Sequence, residues 1–349
     1  AKGGSGNDKS DQLFNKADAV AASRKRELEK MKEEYPIAGY VLQYRELAKL
    51  LGTYIDTIPQ MVDAHERLHA TFLQNGTSTG RMASANPNLQ NIPNKTDIGR
   101  EIRTAFVAEK GSVLVAFDYS QIELRIAAFL SGDEKLIEIF KNGQDVHTEV
   151  ASRVFGVPAS EVTKTMRSHA KTINFGVMYG KGVNALRANM GVNKEEAQEF
   201  LDGYFNTFSG LAQYLEQVKR DTAQKGYTET FFGRRRYFPA IHSKLPFMKA
   251  QAERMAINAP IQGTEADVIK LAMIQVQEYL KKEKLDTKVH LLLQVHDELV
   301  DEVEKDVLDK IAPVIKNIME NVIDPQKTSG VVCVANASVG DNWAEMKGV

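Results

Sequence analysis

The stretch QVHDELV, residues 294 to 300, places two adjacent carboxylates, Asp297 and Glu298, within an otherwise apolar segment. An apolar run, Val289 to Val295, comes before the two carboxylates, and a second run, Leu299 to Val303, follows them. This pattern predicts a strand, a tight turn and a second strand. Two interpretations of the turn remain open at this point: an ordinary hairpin whose polar tip faces water, or a charged functional site.

The composition is that of an ordinary globular protein, with 349 residues, 43% hydrophobic and 26% charged. This length allows one large domain with subdomains, or two domains. The 45 Lys and Arg residues balance 46 Asp and Glu residues. Net charge therefore does not by itself indicate a nucleic-acid partner, although a neutral total can hide a basic cleft opposite an acidic surface.

The cysteine content and the hydropathy both favour a reducing compartment. Cys333 is the one cysteine and cannot form an internal disulfide, and its apolar surroundings predict a buried strand residue. No segment approaches the roughly 18 consecutive apolar residues of a membrane span, and the N-terminus is too polar for a secretory signal. We therefore expect no membrane association, and a location in the cytosol or in an organelle matrix.

Periodicity predicts a chain in which strands bracket a long helical block. Residues 1 to 12 are rich in Gly and Ser and predict a flexible lead-in, whereas the polar stretch over 76 to 94 predicts an extended loop. Strands are expected over 113 to 117, 289 to 303 and 331 to 338. Helices are expected over 13 to 34, 40 to 54, 65 to 72, 121 to 130, 133 to 141, 146 to 155, 163 to 179, 194 to 205, 210 to 225, 247 to 258, 262 to 282 and 307 to 322. This order is typical of an α+β fold with a small antiparallel sheet.

Asp118 follows the predicted strand over 113 to 117, and Asp297 lies at the predicted hairpin tip. If their strands are neighbours in one sheet, the two carboxylates would repel each other unless a cation or a proton neutralised them. Mg²⁺ prefers carboxylates together with phosphate oxygens and water, and a pair of such ions about 4 Å apart promotes phosphoryl transfer. The sequence does not itself prove that the strands are neighbours.

The helix predicted over 163 to 179 carries two cations and two aromatics at four-residue spacing: Arg167, Lys171, Phe175 and Tyr179. This spacing places them along one face of the helix. Such a stripe suits a triphosphate at one end and a sugar and base at the other. The alternative is a structural helix with one basic solvated end and one buried aromatic end.

Several long motifs occur in the order and spacing of family A DNA polymerases, the bacterial DNA polymerase I type. The three signature motifs are similar to DYSQIELR (118 to 125), RSHAKTINFGVMYG (167 to 180) and QVHDELV. Further matches are TGRMASANPNLQNIP (79 to 93), DVHTEVA (145 to 151), GYTETFFGRRRYFP (226 to 239), AERMAINAPIQGTEAD (252 to 267) and VGDNWAEMK (339 to 347). The resemblance covers roughly residues 36 to 347.

The resemblance implies specific roles at the reacting end of the site. It implies that Asp118, Asp297 and the backbone carbonyl of Tyr119 bind metal, with Glu298 as a secondary catalytic carboxylate. It also implies that Lys171 is the acid for the departing pyrophosphate, while His296 supports the turn. The residues implied in dNTP binding are Arg167, Lys171, Phe175, Tyr179, His147, Gln121 and Glu123, the last of which closes the pocket against a ribose 2′-hydroxyl.

The resemblance also implies a set of DNA contacts. Arg81, Asn258 and Gln262 match minor-groove contacts near the primer end, where acceptors shared by all base pairs allow sequence-independent checking. The three consecutive cations Arg234, Arg235 and Arg236 match contacts to backbone phosphates, although a solvated turn is the alternative for this triple. The remaining DNA-binding residues implied are Arg254, Asn88 and Asn91.

The sequence departs from the family pattern at two positions and at its N-terminus. Lys95 stands where the family commonly has Arg, which keeps the charge but loses bidentate geometry, and Ser168 replaces a usual basic residue. The match begins deep inside what should be the thumb. We therefore expect a polymerase core with a truncated thumb and no proofreading exonuclease, and a nuclease domain is possible on a missing N-terminal portion or on a separate chain.

The resemblance implies a right-hand polymerase fold, with a small antiparallel palm sheet, a helical fingers insertion and a partial helical thumb. The expected divisions are lead-in 1–12, partial thumb 13–75, first palm segment 76–132, fingers 133–247 and second palm segment 248–349.

The activity implied is that of a DNA-directed DNA polymerase, which adds dNTPs to a primer 3′-hydroxyl with release of pyrophosphate. The implied cofactors are two Mg²⁺ ions, for which Mn²⁺ can substitute, and the implied partners of the monomer are primer-template DNA and dNTPs. Two rivals are a single-subunit RNA polymerase, against which Glu123 argues, and a nucleic-acid-binding module without catalysis. Against the second rival stands the retention of Asp118, Asp297, Arg167 and Lys171 together.

Overall fold

The computed structural model describes residues 24, 25, 27–94 and 96–349, which form two compact units. One unit holds the described residues up to His69 together with residues 96–102, and the other holds residues 70–94 and 103–349. The predicted lead-in over residues 1–12 and the departure at Lys95 lie outside the described residues. Within the described part of the chain, no helix is both long and apolar enough to cross a membrane.

The first unit contains helix α1, Pro36–Leu50, which continues through a π-helical turn, Leu51–Ile55. The helix predicted over 40 to 54 is thus confirmed, and it begins four residues earlier because Pro36 occupies the first helical position, where its missing N–H costs nothing. Helix α2, Asp97–Thr104, was not predicted.

The helix predicted over 65 to 72 is wrong. Asp63 accepts hydrogen bonds from the backbone N–H groups of His65, at 2.8 Å, and Arg67, at 2.9 Å. These bonds close a local turn in place of a helix. Beyond the turn, the chain enters strand β1, Thr71–Leu73, which pairs with β2, Ala83–Ala85.

A five-stranded antiparallel sheet lies at the centre of the second unit, with the strand order β6-β7-β3-β8-β9. The strands are β3 Ser112–Tyr119, β6 Val289–Val295, β7 Glu298–Glu304, β8 Ala335–Gly340 and β9 Lys347–Gly348. A separate ribbon pairs β4, Tyr227–Glu229, with β5, Arg235–Tyr237. The predicted α+β class with a small antiparallel sheet is therefore confirmed.

Helices fill the interval between β3 and β6, as predicted. They are α3 Ile122–Ser131, α4 Glu134–Lys141, α5 Val146–Phe155, α6 Lys164–Met178, α7 Val183–Met190, α8 Lys194–Thr207, α9 Ser209–Lys225 and α10 Pro246–Lys282. Side-chain caps start four of them, at Asp133, Asp145, Thr163 and Asn193. Helix α11, Leu308–Glu320, follows β7. Helix α7 was not predicted, because eight residues are too few to display a clear period.

Helix α10 corrects the prediction of two helices over 247 to 258 and 262 to 282. It is one continuous helix of 37 residues with Pro260 inside it. A proline removes one backbone hydrogen bond and predicts a break. Here the residues around it, including Ala256, Ala259 and Ile261, are fully or almost fully buried, and their packing offsets the lost bond.

The strand predicted over 331 to 338 begins only at Ala335. Before Ala335, the backbone carbonyls form hydrogen bonds outside the strand ladder. The carbonyl of Val332 accepts from Arg125 Nη1 at 2.9 Å, and the carbonyl of Val334 accepts from the Ser120 N–H at 2.8 Å. Cys333 is buried, as predicted, but lies outside the strand.

Candidate active site

The β6–β7 hairpin is closed by a two-residue turn, His296 and Asp297, since Val295 pairs directly with Glu298. His296 has a left-handed backbone, with φ of 57°. Gln294 stabilises this conformation by donating from Nε2 to the His296 carbonyl at 2.6 Å. Gln90 in turn donates to the Gln294 backbone carbonyl at 3.0 Å and to its side-chain oxygen at 3.1 Å. Three polar contacts therefore hold the turn that carries Asp297.

The structure brings the two predicted carboxylates, Asp118 and Asp297, together. Asp118 lies within β3, one residue before its end, and is in register with Glu298 of β7. The neighbouring Tyr119 donates its backbone N–H to the Asp297 carbonyl at 3.1 Å. The strands are thus adjacent, which the sequence left undecided.

The electrostatics of the pair fit a site for a cation. Partial burial, followed by repulsion from Asp297 and Glu298, raises the pKa of Asp118 to about 7. Burial also raises the pKa of Asp297. No hydrogen bond or ion pair from any described residue reaches the Asp118 carboxylate. A divalent cation would relieve this repulsion.

The described residues contain no group of three or more His, Cys, Asp or Glu side chains arranged to hold a metal ion. The ligand set implied by the sequence is smaller, since it consists of the two carboxylates and the Tyr119 carbonyl. The Tyr119 side chain is not available for this purpose, because it is buried and its hydroxyl donates to the Met319 carbonyl at 2.7 Å.

Glu298 has different surroundings from the other two carboxylates. Its Oε1 accepts a hydrogen bond from Trp343 Nε1 at 3.3 Å. The Trp343 ring packs under the Arg103 guanidinium, 4.1 Å from ring centroid to Cζ. Burial raises the pKa of Glu298, whereas the Trp343 hydrogen bond and Arg103 lower it. Trp343 and Arg103 were not identified from the sequence.

The predicted stripe on α6 extends to Tyr179, the residue that caps the helix. Arg167 forms a two-point ion pair with Asp145, with Nε–Oδ1 at 3.0 Å and Nη2–Oδ2 at 2.8 Å. This hydrogen bonding lowers the pKa of Asp145. Lys171 is exposed, and none of the described residues forms a hydrogen bond or ion pair with it. In this stripe, Arg167 is therefore paired with a carboxylate, whereas Lys171 is available to a ligand.

His147 is only 3% exposed. Its Nδ1 lies 3.0 Å from Asn174 Nδ2, which donates the hydrogen bond if the ring is neutral. Burial is the main reason why the pKa of His147 falls to about 4. The ring is therefore uncharged at neutral pH, and Phe175 lies beside it with a centroid separation of 6.0 Å.

Four side chains form a partly buried polar cluster, which we call the Arg81 cluster: Arg81, Glu123, Tyr179 and Glu265. The Tyr179 hydroxyl donates toward both Glu123 oxygens, each at 3.1 Å. Arg81 Nη2 donates to Glu123 Oε1 at 2.9 Å and to Glu265 Oε2 at 2.5 Å. Glu265 was not identified from the sequence. The one available signal was a carboxylate among the mostly apolar residues of α10.

The Arg81 cluster borders a cavity of about 590 Å³. Six of the predicted dNTP- and DNA-binding residues line it: Arg81, Tyr179, Arg236, Arg254, Asn258 and Gln262. Asn258 is further held by donating from Nδ2 to the Met178 carbonyl at 3.3 Å. The structure thus gathers residues that are far apart in the sequence around one concave surface.

Other predicted residues do not line this cavity. Arg234 pairs with Asp267, with Nε–Oδ1 at 2.7 Å, and Arg235 pairs with Glu229 at 2.6 Å. Only Arg236 of the arginine triple lines the cavity. Three further residues shape the backbone or end a turn: Asn88 caps a 3₁₀ turn, Asn91 ends it, and Gln121 precedes α3 in a left-handed conformation.

The chain is similar to known polymerases over most of its length. The sequence profile of DNA polymerase family A matches residues 8–345. The chain is 46% identical over 321 residues to the thermostable DNA polymerase I of Thermus aquaticus, which covers 92% of this chain and 38% of that protein. It is 44% identical over 314 residues to DNA polymerase I of Pseudomonas aeruginosa, covering 90% of this chain and 34% of that protein.

A solved structure with a similar fold is the POL domain of Pol1 from M. smegmatis in complex with DNA primer-template and dNTP. The TM-score is 0.85 at 39% sequence identity, over 91% of this chain and 55% of that one. The present chain spans less than two fifths of the length of the curated relatives named above. The profile match over nearly the whole sequence shows that the chain belongs to DNA polymerase family A.

Proposed function

We propose that this chain catalyses template-directed DNA synthesis, in which a primer 3′-hydroxyl attacks the α-phosphate of a dNTP and pyrophosphate leaves. The observation that carries the proposal is the juxtaposition of Asp118 and Asp297 at adjacent strand ends. The relatives named DNA polymerase I support a DNA polymerase over the RNA polymerase alternative.

The Asp118 and Asp297 carboxylates and the Tyr119 carbonyl are the groups that would hold two Mg²⁺ ions, or Mn²⁺ in their place. When bound, such ions neutralise charge on the attacking and leaving oxygens of a phosphoryl transfer. The raised pKa of Asp118 supports this assignment, because burial is followed by the charges of Asp297 and Glu298 as its causes, and a bound cation would offset these charges. Glu298 has a supporting role beside these metal-binding groups, because its carboxylate already accepts a hydrogen bond from Trp343.

Helix α6 provides the contacts for the triphosphate. Lys171 binds phosphate oxygens and donates a proton to the departing pyrophosphate. Arg167 binds a phosphate by exchanging the Asp145 carboxylate for the ligand, which has the same bidentate geometry. His147 contributes to these contacts as a neutral hydrogen-bond donor, because Asn174 donates to its Nδ1 and the ring nitrogen that remains can donate to a phosphate oxygen.

The cavity provides the contacts for the primer-template duplex. Arg81, Asn258 and Gln262 donate to the minor-groove acceptors that all base pairs share, so that binding is independent of sequence. Glu123 and Tyr179 border the dNTP sugar and the template base. The palm, fingers and thumb divisions predicted from the sequence, and a monomeric state, form part of the same proposal.

The test is primer extension with Mg²⁺ by the unmodified chain and by Asp118→Asn. Asn keeps the shape but removes the charge, so extension should fall by roughly three orders of magnitude while primer-template binding stays nearly unchanged. Asp306→Asn is the matched control, because Asp306 is exposed on the loop after β7 and forms an ion pair with Lys288 there. Extension by Asp118→Asn at the level of this control would refute the assignment.

A further inference from the structure

Glu265 is a buried carboxylate in the middle of α10, with 1% of the residue exposed. Among the described residues, Arg81 is its one hydrogen-bond partner, through Nη2 at 2.5 Å. Burial raises the pKa of Glu265, whereas the Arg81 charge lowers it and favours the ionised carboxylate. A buried carboxylate is costly to maintain unless it is paired. Its position on a cavity-lining arginine therefore needs an explanation.

The hydrogen bonds fix the orientation of the Arg81 guanidinium. Nη2 has two N–H donors, and Glu123 and Glu265 accept from that nitrogen. Nε is buried and has no partner among the described residues. Nη1 is therefore the donor group left for a ligand in the cavity that Arg81 lines.

Glu123 and Glu265 come from different helices and differ in their hydrogen-bond partners. Glu123 lies on α3 and also accepts from the Tyr179 hydroxyl. Glu265 lies on α10 and interacts with Arg81 alone among the hydrogen-bonding groups described. An arginine with one anchor can rotate about that contact, whereas two anchors on separate helices fix the plane of the guanidinium.

We propose that Glu265 is a positioning residue that holds Arg81 with its Nη1 edge toward the cavity, and thereby strengthens the contact of Arg81 with minor-groove acceptors at the primer end. This inference rests on the proposed function. It assigns to Glu265 a part in how the site recognises a correctly paired primer end, since mispairing displaces those acceptors.

Removing Glu265 is a usable test, because the charges that remain in the Arg81 cluster still balance. The cluster places one guanidinium against two carboxylates. Glu265→Ala leaves a balanced Arg81–Glu123 pair, so we expect the variant to fold. Glu265→Gln keeps an oxygen that accepts from Nη2 and is the conservative variant. Glu278→Ala is the matched control, because Glu278 is exposed on the same helix.

The experiment measures kcat/KM for extension of primers with matched and mismatched 3′ ends, for the unmodified chain, Glu265→Ala, Arg81→Ala and the double variant. We expect Glu265→Ala to lower matched extension about tenfold, as is typical for loss of a charged hydrogen bond, and to narrow the ratio of matched to mismatched extension. The double variant should resemble Arg81→Ala alone, because Glu265 acts through Arg81. Glu265→Gln should recover most of the loss.

Additive losses in the double variant, or a matched-to-mismatched ratio that Glu265→Ala leaves unchanged, would overturn the proposal. Thermal unfolding of each variant checks folding, and Glu265→Met replaces the alanine variant if that variant unfolds, because Met fills a similar volume without accepting from Nη2. Matched extension by the unmodified chain separates the two hypotheses. If the unmodified chain does not extend a matched primer, the proposed function is wrong. If the unmodified chain and Glu265→Ala both extend it normally, only the role of Glu265 is wrong.

Discussion

At the residue scale, the carboxylates in and around the central sheet differ in the groups that they contact. Asp118 and Asp297 face each other with raised pKa values, and Glu298 is held by Trp343. Glu265 faces the guanidinium of Arg81. Asp301 has no such contact, since neither of its oxygens has a hydrogen-bond partner within the described residues. In the roles that we propose, the same functional group thus serves in metal binding, in support and in positioning, and in Asp301 it is buried without a hydrogen-bond partner among the described residues.

Removing Glu123 should relax selection against ribonucleotides. Its carboxylate is almost fully buried and accepts from both Arg81 and Tyr179. Glu123→Ala removes the bulk that would meet a 2′-hydroxyl, while Arg81 keeps its contact with Glu265. We expect ribonucleotide incorporation to rise relative to deoxynucleotide incorporation by about 100-fold, in the range of one well-placed steric contact. Competition between dNTP and rNTP measures the ratio, and a ratio equal to that of the unmodified chain would remove Glu123 from this role.

Asp301 should make the folded chain less stable as pH rises. It lies in β7 opposite Val115 and Leu291, and burial raises its pKa to about 7. Between the pKa near 4 of the unfolded chain and 7, the folded state holds a proton that the unfolded state has lost. The free energy of unfolding therefore falls across this range as pH rises and levels off above it.

Replacing Asp301 with Leu should reduce this dependence, and Asp118, whose pKa is also raised to about 7, accounts for part of what remains. We expect Asp301→Leu to be more stable than the unmodified chain at pH 8 by on the order of 3 kcal/mol, and about equally stable at pH 4. Urea unfolding at both pH values measures the difference, with Asp286→Asn, a change at an exposed residue, as control. If Asp301→Leu showed the same stability difference between the two pH values as the unmodified chain, another group would be its source.

At the element scale, two helices and one hairpin hold the site. The hairpin carries Asp297, α6 carries the cation stripe, and α10 carries Glu265, Asn258 and Gln262. The length of α10 allows one element to contribute to both the Arg81 cluster and the cavity. A break at Pro260 would separate Asn258 from Gln262. We therefore expect the function of the cavity to depend on the continuity of this helix.

Close packing at Gly263 joins α10 to the loop before Arg81. A Cβ at this position would lie 2.5 Å from Thr230 Cγ2 and 3.3 Å from the Thr79 carbonyl oxygen. Thr230 cannot easily move, since its hydroxyl donates to Asp267 at 2.8 Å. Gly263→Ala should therefore destabilise the chain by about 1 to 3 kcal/mol and weaken DNA binding by displacing the loop.

Gly39→Ala is the control for this change. Gly39 lies in α1, and a Cβ there would meet nothing within 4 Å. The substitution should raise stability by up to about 1 kcal/mol, because alanine favours a helix. Thermal unfolding of both variants measures the contrast. Equal effects of the two substitutions would show that packing at Gly263 is not tight.

At the scale of the whole molecule, charge is distributed unevenly. The net charge is −1, yet three arginines line the cavity. Arg81 is paired with Glu123 and Glu265, whereas Arg236 and Arg254 have no carboxylate partner among the described residues. Many other cations are paired with carboxylates, as Arg234 is with Asp267. The neutral total therefore conceals a local positive surface, which was one of the possibilities that the composition left open.

This distribution predicts strongly salt-dependent binding of primer-template DNA. Each phosphate that the chain neutralises should contribute about −0.9 to the slope of log affinity against log salt concentration. Arg254→Gln should reduce the steepness of that slope by about 1 if Arg254 contacts phosphate. Fluorescence anisotropy across a salt series measures it. Arg220→Gln, on α9 and outside the cavity, should leave the slope unchanged, and an identical slope for both variants would contradict the assignment.

The sequence by itself determined the α+β class, most helix positions and the two separated carboxylates, because periodicity, caps and long motifs are local properties of the chain. It failed where distant contacts override local preference: Pro260 is held inside a helix by packing, and Arg125 and Ser120 take the backbone that a strand over 331 to 334 would have used. Only the tertiary structure decided that β3 and β7 are neighbours, that Arg234 and Arg235 are paired, and that Glu265 holds Arg81. Except for Arg235, which pairs with Glu229 across the short β4–β5 ribbon, these contacts join groups far apart in the sequence, and they form only when the elements that carry them pack together.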